Sequence, residues 1–194
     1  SMAHLPPVDT FDYIVFGGTG DLTMRKLLPA LYHRYRDGQI PDDSRIVGTA
    51  RSPLSRADYQ QRATDALHAH VKAEALDDAT VARFVNMVHY VSLNGAEADS
   101  DWPTLKTLLD GVPPGRIRVY YLATSPALYG QICENLSQEN LITPQSRVVL
   151  EKPIGTDLAS AEAINDSVGR HFPENQIFRI DHYLGKETVQ NLIA

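Results

Sequence analysis

The sequence predicts an α/β fold, a doubly wound and mostly parallel sheet with helices on both faces. Three observations predict it. Short runs rich in β-branched and aromatic residues alternate with longer stretches of helical period along the chain. The first such run, Tyr13-Ile14-Val15-Phe16, stops at Gly17-Gly18-Thr19-Gly20, and a helical pattern follows at once. The length, 194 residues, suits one domain, or one domain and the start of another, with a real core.

The elements follow in order. The first nine residues are a Pro-containing lead-in, and Ser1 before Met2 reads as a tag remnant. Residues 1–10 are therefore expected to be a disordered lead-in, and 11–194 the folded unit. Tyr13–Phe16 is a buried strand. Leu22, Leu27, Leu28, Leu31, Tyr32 and Tyr35 fall on helical spacing, with Gly38 as the stop. Pro29 lies inside that helix and is expected to kink it. Arg45–Ala50 is the second strand. Ser55 caps a helix running towards Ala75. A helix around Thr80–Asn86 leads to a strand at His89–Leu93. Trp102–Leu109 is helical and closes at Gly111. Arg116–Ala123 is the clearest strand. Pro126 opens a helix to about Asn140. Ser146–Leu150 is a strand, and Asp157 caps a helix to about His171. Gln176–Ile180 is the last strand, with a helical start at Gly185. Pro113-Pro114-Gly115 is a loop inside the domain. The chain ends at Ala194 within an amphipathic segment, which suggests a piece of a longer protein.

Composition narrows the function. The formal net charge is −6, without the basic stripe of a nucleic-acid binder. No apolar run approaches the ~18–20 residues of a membrane span, and no signal peptide is visible. One cysteine, Cys133, cannot form an internal disulfide and fits a reducing cytoplasm. His68 and His70 are two apart on a helix and face different ways, so no metal site is expected.

A strand, a glycine cluster and a helix within ~30 residues form a Rossmann-type dinucleotide-binding unit. Glycine lets the backbone approach a pyrophosphate, and the helix presents free N–H groups and its positive dipole end. Gly17, Gly18 and Gly20 supply the turn, while Thr23 occupies the position of the third glycine in G-x-G-x-x-G. The end of the second strand selects the coenzyme. An NAD site usually carries an acid there for the ribose 2′-OH; this chain has Thr49-Ala50-Arg51-Ser52. Arg51 can pair with a 2′-phosphate, with Ser52 or Thr19 adding a hydrogen bond. Such a charge-assisted bond contributes about 1.5–3 kcal/mol.

Two later segments concentrate polar chemistry after strands, where ligands of open α/β sheets sit. The first is Glu151-Lys152-Pro153, in which a cis Pro153 can aim Lys152. The second is Arg179-Ile180-Asp181-His182-Tyr183-Leu184-Gly185-Lys186-Glu187. Lys152, His182, Tyr183 and Lys186 make a site for a small anion such as a phosphate ester. Asp181 is suited to orienting a catalytic base. The residues alone leave open a noncatalytic NADP-binding module, or another sugar oxidoreductase on this fold.

The strings GGTGDLTMRKLLPALY, GTARS, YYLATSP, EKPIGTDL and RIDHYLGKETVQNL occur in the order found in the glucose-6-phosphate dehydrogenase family. From about Asp12 to Ala194 the chain resembles the N-terminal coenzyme domain of that family. The resemblance implies oxidation of glucose 6-phosphate to 6-phospho-D-glucono-1,5-lactone with hydride transfer to NADP+, the entry step of the oxidative pentose phosphate pathway. It implies NADP binding by Gly17, Gly18, Thr19, Gly20, Asp21 and Leu22, with Arg51 and Ser52 on the 2′-phosphate and Lys26 on the following helix. Tyr129 matches a position near the nicotinamide, and Lys152 one that reaches substrate and coenzyme. His182, Tyr183 and Lys186 match sugar-phosphate ligands, and Asp181 the partner of the catalytic histidine. That histidine belongs to a second, β+α domain beyond Ala194. The resemblance thus implies an inactive, monomeric fragment of a cytoplasmic homodimer or homotetramer. Two departures stand out: Thr124-Ser125-Pro126 replaces a more apolar stretch, and Met24-Arg25 a Lys-rich one.

Overall fold

The computed structural model describes residues 9–181. Six strands form one sheet: β1 (Phe11–Phe16), β2 (Arg45–Ala50), β3 (Val88–Ser92), β4 (Ile117–Leu122), β5 (Ser146–Glu151) and β6 (Ile177–Ile180). All pairings are parallel, in the order β3-β2-β1-β4-β5-β6. The expected fold class is the one observed, and each expected strand lies within a residue or two of its place.

Side-chain alternation divides the interior into two cores. Phe11, Tyr13 and Val15 of β1 face one layer. It is built by α1 (Leu28–Arg36), α2 (Arg56–His70) and α3 (Asp78–Asn86), through Leu31, Tyr32, Tyr59, Leu67 and Phe84. Ile14 and Phe16 face the other. There α4 (Trp102–Asp110), α5 (Tyr129–Gln138) and α6 (Leu158–Gly169) contribute Trp102, Leu105, Ile132, Leu136 and Val168. Burial of each large apolar side chain contributes about 1.5–3 kcal/mol. Asp12 is also fully buried. Arg45 grips it with two 2.8 Å bonds, and Arg116 lies 3.2 Å away. Two guanidiniums make a buried carboxylate tolerable at the amino end of the sheet.

The helix ends match their sequence signals where a side chain acts as a cap. Ser55 Oγ accepts from Asp58 N–H at 3.0 Å, and Asp157 accepts from Ser160 N–H at 2.8 Å. Gly38, at φ +76°, lets its own N–H reach Tyr35 O and that of Gln39 reach Arg34 O, closing α1.

Three expectations are corrected. The helix expected through Pro29 is present, but its first part, Thr23–Leu27, is π-helical and runs into α1 with Pro29 in its first turn. Proline has no N–H for the carbonyl four residues back, and the wider turn, with Leu28 N–H on Thr23 O, accommodates this. The helix towards Ala75 ends at His70, and Ala73–Ala75 is a separate 3-10 turn. Pro126 opens a 3-10 turn, Pro126–Leu128, and the α-helix starts only at Tyr129. The helical start expected at Gly185 lies outside the described residues.

Candidate functional site

Strand β1 sits between β2 and β4, so the chain leaves the sheet on opposite sides of one crevice at the carboxyl ends of β1 and β4. Gly17 and Gly18 line the turn there. A Cβ on Gly17 (φ +88°) would stand 2.3 Å from Ala123 O, and one on Gly18 2.8 Å from Gly48 Cα. The turn is thus pressed against the backbones of both neighbours, and only glycine fits. The N–H groups of Gly17 and Gly18 both donate to Thr49 O, at 3.1 and 2.9 Å. Met24 N–H donates to Gly20 O at 3.2 Å, the first bond of the helix. The amides of Asp21, Leu22 and Thr23 precede it and have no acceptor within the helix, which is the arrangement that binds a pyrophosphate.

Thr23, the departure from the glycine pattern, is fully buried and donates its hydroxyl to Gly17 O at 2.9 Å. It pins the turn where a third glycine would only make room. Tyr59 of α2, also fully buried, donates to Gly18 O at 2.7 Å. Thr19 is half-buried, while Asp21 and Lys26 are exposed; Asp21 pairs with Arg25 at 2.8 Å.

At the end of β2 the carbonyls are also held. The Tyr90 phenol oxygen is 2.5 Å from Ser52 O and 3.0 Å from Ala50 O. Leu93 N–H donates to Ala50 O at 2.8 Å, and Ser92 Oγ to Arg51 O at 3.4 Å. Between these anchors the Arg51 side chain is exposed, and Ser52 is half-buried.

Two cavities meet along the crevice and share Thr124. The first, about 390 Å³, is lined by Gly17, Arg51, Leu93, Asn94, Gly95 and Leu128. The second, about 750 Å³, is lined by Tyr129, Glu151, Lys152, Pro153, Thr156 and Ile164 among others. The Leu93–Ala96 loop is a part of the site that the sequence reading did not name. Asn135 of α5 fixes it, donating to Gly95 O at 2.9 Å. Its signal was position: it follows a strand, and the carboxyl-end rule applies to every strand of the sheet.

Tyr129 is buried. Its hydroxyl accepts from Glu151 N–H at 3.3 Å and lies 3.4 Å from Glu151 O, while its ring borders the larger cavity. Burial pushes its pKa up, so the phenol stays neutral. Glu151 is 9% exposed, next to Tyr121, whose phenol is likewise held protonated by burial, by Tyr13 and by the Glu151 carboxyl. The Lys152–Pro153 peptide is cis. Lys152 N–H donates to Ile180 O at 2.7 Å, continuing a ladder in which Glu151 pairs with Ile180. The next positions along are Lys152 and Asp181, both exposed. Two segments distant in sequence therefore pair at Lys152, which lines the larger cavity. His182, Tyr183 and Lys186 lie outside the described residues.

Sequence comparison agrees with this geometry. Residues 14–191 match the family model described as "Glucose-6-phosphate dehydrogenase, NAD binding domain". The chain belongs to the glucose-6-phosphate dehydrogenase family. It is 58% identical over 193 residues to a glucose-6-phosphate 1-dehydrogenase of Gluconobacter oxydans (strain 621H), covering 100% of this chain and 40% of that protein. It is 52% identical over 192 residues to one of Rhizobium meliloti (strain 1021), covering 99% of this chain and 39% of that protein. Among solved structures it is similar to a glucose-6-phosphate dehydrogenase in complex with its substrate glucose-6-phosphate. There the TM-score is 0.81 at 35% identity, covering 97% of this chain and 40% of the other. The chain thus spans about 40% of the length of its glucose-6-phosphate dehydrogenase relatives.

Proposed function

We propose that this chain is the coenzyme half of a glucose-6-phosphate 1-dehydrogenase, oxidising glucose 6-phosphate to 6-phospho-D-glucono-1,5-lactone with NADP+ as hydride acceptor. The observation that carries the proposal is the pairing of two features in one crevice. A glycine turn too tight for any Cβ lies beside an exposed arginine, with no acid between Thr49 and Ser52. Lys152 and Asp181 stand at adjacent ladder positions at the other end.

The residues present fit a dinucleotide bearing a 2′-phosphate. Gly17, Gly18, Thr19, Gly20, Asp21 and Leu22 hold the pyrophosphate through backbone N–H groups and the helix dipole. Arg51 and Ser52 receive the 2′-phosphate, and Lys26 adds positive charge on the same helix. Tyr129 shapes the nicotinamide side by fixing the Glu151 backbone. When bound, the oxidised nicotinamide supplies the acceptor for the hydride from the sugar C1.

The rest concerns the sugar. Lys152, with His182, Tyr183 and Lys186, binds the sugar phosphate, and Lys152 also reaches towards the coenzyme. Asp181 orients a histidine base that takes the C1 hydroxyl proton and is supplied by sequence following residue 194. General base help contributes about 10²–10⁴-fold, so this chain alone is inactive. The 194-residue chain is a monomer, and the whole cytoplasmic enzyme a homodimer or homotetramer. Cys133 is buried, and burial pushes its thiol up to about 12, which keeps it from the reactive thiolate form.

Calorimetry of the chain with each nucleotide tests the coenzyme reading: NADP+ binds more tightly than NAD+, and equal affinities refute it. Purified chain with glucose 6-phosphate and NADP+ forms no NADPH; appreciable formation refutes the assignment of the base to the missing region.

A further inference from the structure

The two turns that would hold the coenzyme are each braced from behind by a tyrosine, and the two rings touch. Tyr59 and Tyr90 have ring centroids 4.8 Å apart. Tyr59 comes from α2, is fully buried, and reaches the glycine turn through Gly18 O. Its ring occupies a slot that exists only because residue 48 is glycine. A Cβ there would stand 2.3 Å from Tyr59 Cζ and Oη. Tyr90 comes from β3, is half-buried, and holds the carbonyls of Ala50 and Ser52 on either side of Arg51.

Neither phenol lines either cavity, so each acts through backbone. We infer that Tyr59 and Tyr90 are a paired set of positioning residues with divided labour: Tyr59 sets the turn common to every dinucleotide, and Tyr90 sets the turn that discriminates NADP+ from NAD+. The inference rests on the reading that Arg51 holds the 2′-phosphate.

The division follows from what each hydroxyl grips. Gly18 O belongs to the pyrophosphate turn, which both coenzymes use. Ser52 O and Ala50 O belong to the segment carrying Arg51, which only a 2′-phosphate engages. A guanidinium binds phosphate well only in register, and its planar fork gains little from a mobile backbone. Ala50 O keeps Leu93 N–H at 2.8 Å and Ser52 O keeps Leu54 N–H at 3.0 Å, so the Tyr90 hydroxyl is the tie that joins the two carbonyls across Arg51, and losing it lowers affinity for NADP+ while leaving NAD+ nearly untouched.

The test is titration of the full 194-residue chain with NADP+ and with NAD+, for Tyr90→Phe, Tyr59→Phe, Arg51→Ala and the Arg51→Ala/Tyr90→Phe double variant. Thermal melts of each confirm the fold. Tyr90→Phe keeps the ring contact and should weaken NADP+ by about 3–10-fold, with NAD+ changed by less than about 2-fold. Tyr59→Phe should weaken both coenzymes by similar factors. Adding Tyr90→Phe to Arg51→Ala should cost nothing further, because the two act through one contact. Equal losses of NADP+ and NAD+ in Tyr90→Phe, or additive losses in the double variant, overturn the inference while Arg51 keeps its role. An Arg51→Ala variant with unchanged preference overturns the inference together with the reading beneath it.

Discussion

Replacing Gly48 by alanine should destabilise the protein through one ring. At an unobstructed strand position the change is neutral or mildly favourable, since glycine weakens a strand. Here the new methyl would stand 2.3 to 2.6 Å from three atoms of Tyr59, a side chain fully buried between the sheet and α2. The ring must move. Overpacking of this kind costs about 1–3 kcal/mol. The moving ring also gives up its 2.7 Å bond to Gly18 O, and stranding that buried carbonyl costs about 1–3 kcal/mol more. The expected loss is about 2–6 kcal/mol, or a fall in Tm of about 4–24 °C at this chain length. Urea unfolding and thermal melts measure it. The second arm repeats Gly48→Ala in a Tyr59→Leu background, where the smaller side chain leaves room and the cost should fall below about 1 kcal/mol. A Gly48→Ala protein as stable as its parent, or an equal cost in both backgrounds, refutes the reasoning.

Other outcomes follow from the same geometry. Asp12→Ala strands the largely buried Arg45 guanidinium, while Arg116 keeps the Phe11 and Asp43 carbonyls, and should cost about 3–5 kcal/mol, whereas Lys106→Ala, which breaks an exposed pair with Asp110, should barely shift the melt. Thr23→Val keeps the shape but removes the bond to Gly17 O, and should cost about 1–2 kcal/mol and weaken NADP+ and NAD+ alike; Thr23→Ser should retain both properties in melts and titrations. His89 is lowered to about 4 by burial, then by Arg56 and Arg45, against the opposing Asp12. The neutral ring is favoured in the fold, so its contribution is complete above the unfolded value near 6.5 and is lost as pH falls from there through 4. In that window the parent should lose about 1–2 kcal/mol more than His89→Gln, allowing for solvent screening, and parallel pH curves would refute the assignment.

The strand–helix alternation, the glycine turn and the absence of an acid after β2 were legible because each is a local pattern with a physical cause; the strand order was not, since it depends on pairings between distant segments. Gly38 and Asp157 were legible for the same reason, as a stop and a cap. The π segment at Thr23–Leu27 was not, since over five residues π and α periods place the same apolar side chains on one face. Tyr59 was missed because its role depends on the shape of Gly48, eleven positions back and on another element. An isolated glycine inside a strand was still a visible hint of close approach. Tyr129 is placed by its ring at the edge of the larger cavity, but the sequence did not disclose that its hydroxyl binds the Glu151 backbone. The Leu93–Ala96 loop has no chemical signature, only a location.

The bond from Lys152 N–H to Ile180 O yokes two arms of the cleft to a single rung. Among the described residues β6 borders the sheet with β5 alone beside it, so whatever tugs on that border acts on the backbones of Lys152 and Asp181 together. The two backbones share that rung, and any lesion in β6 should be felt as a simultaneous misalignment of both residues.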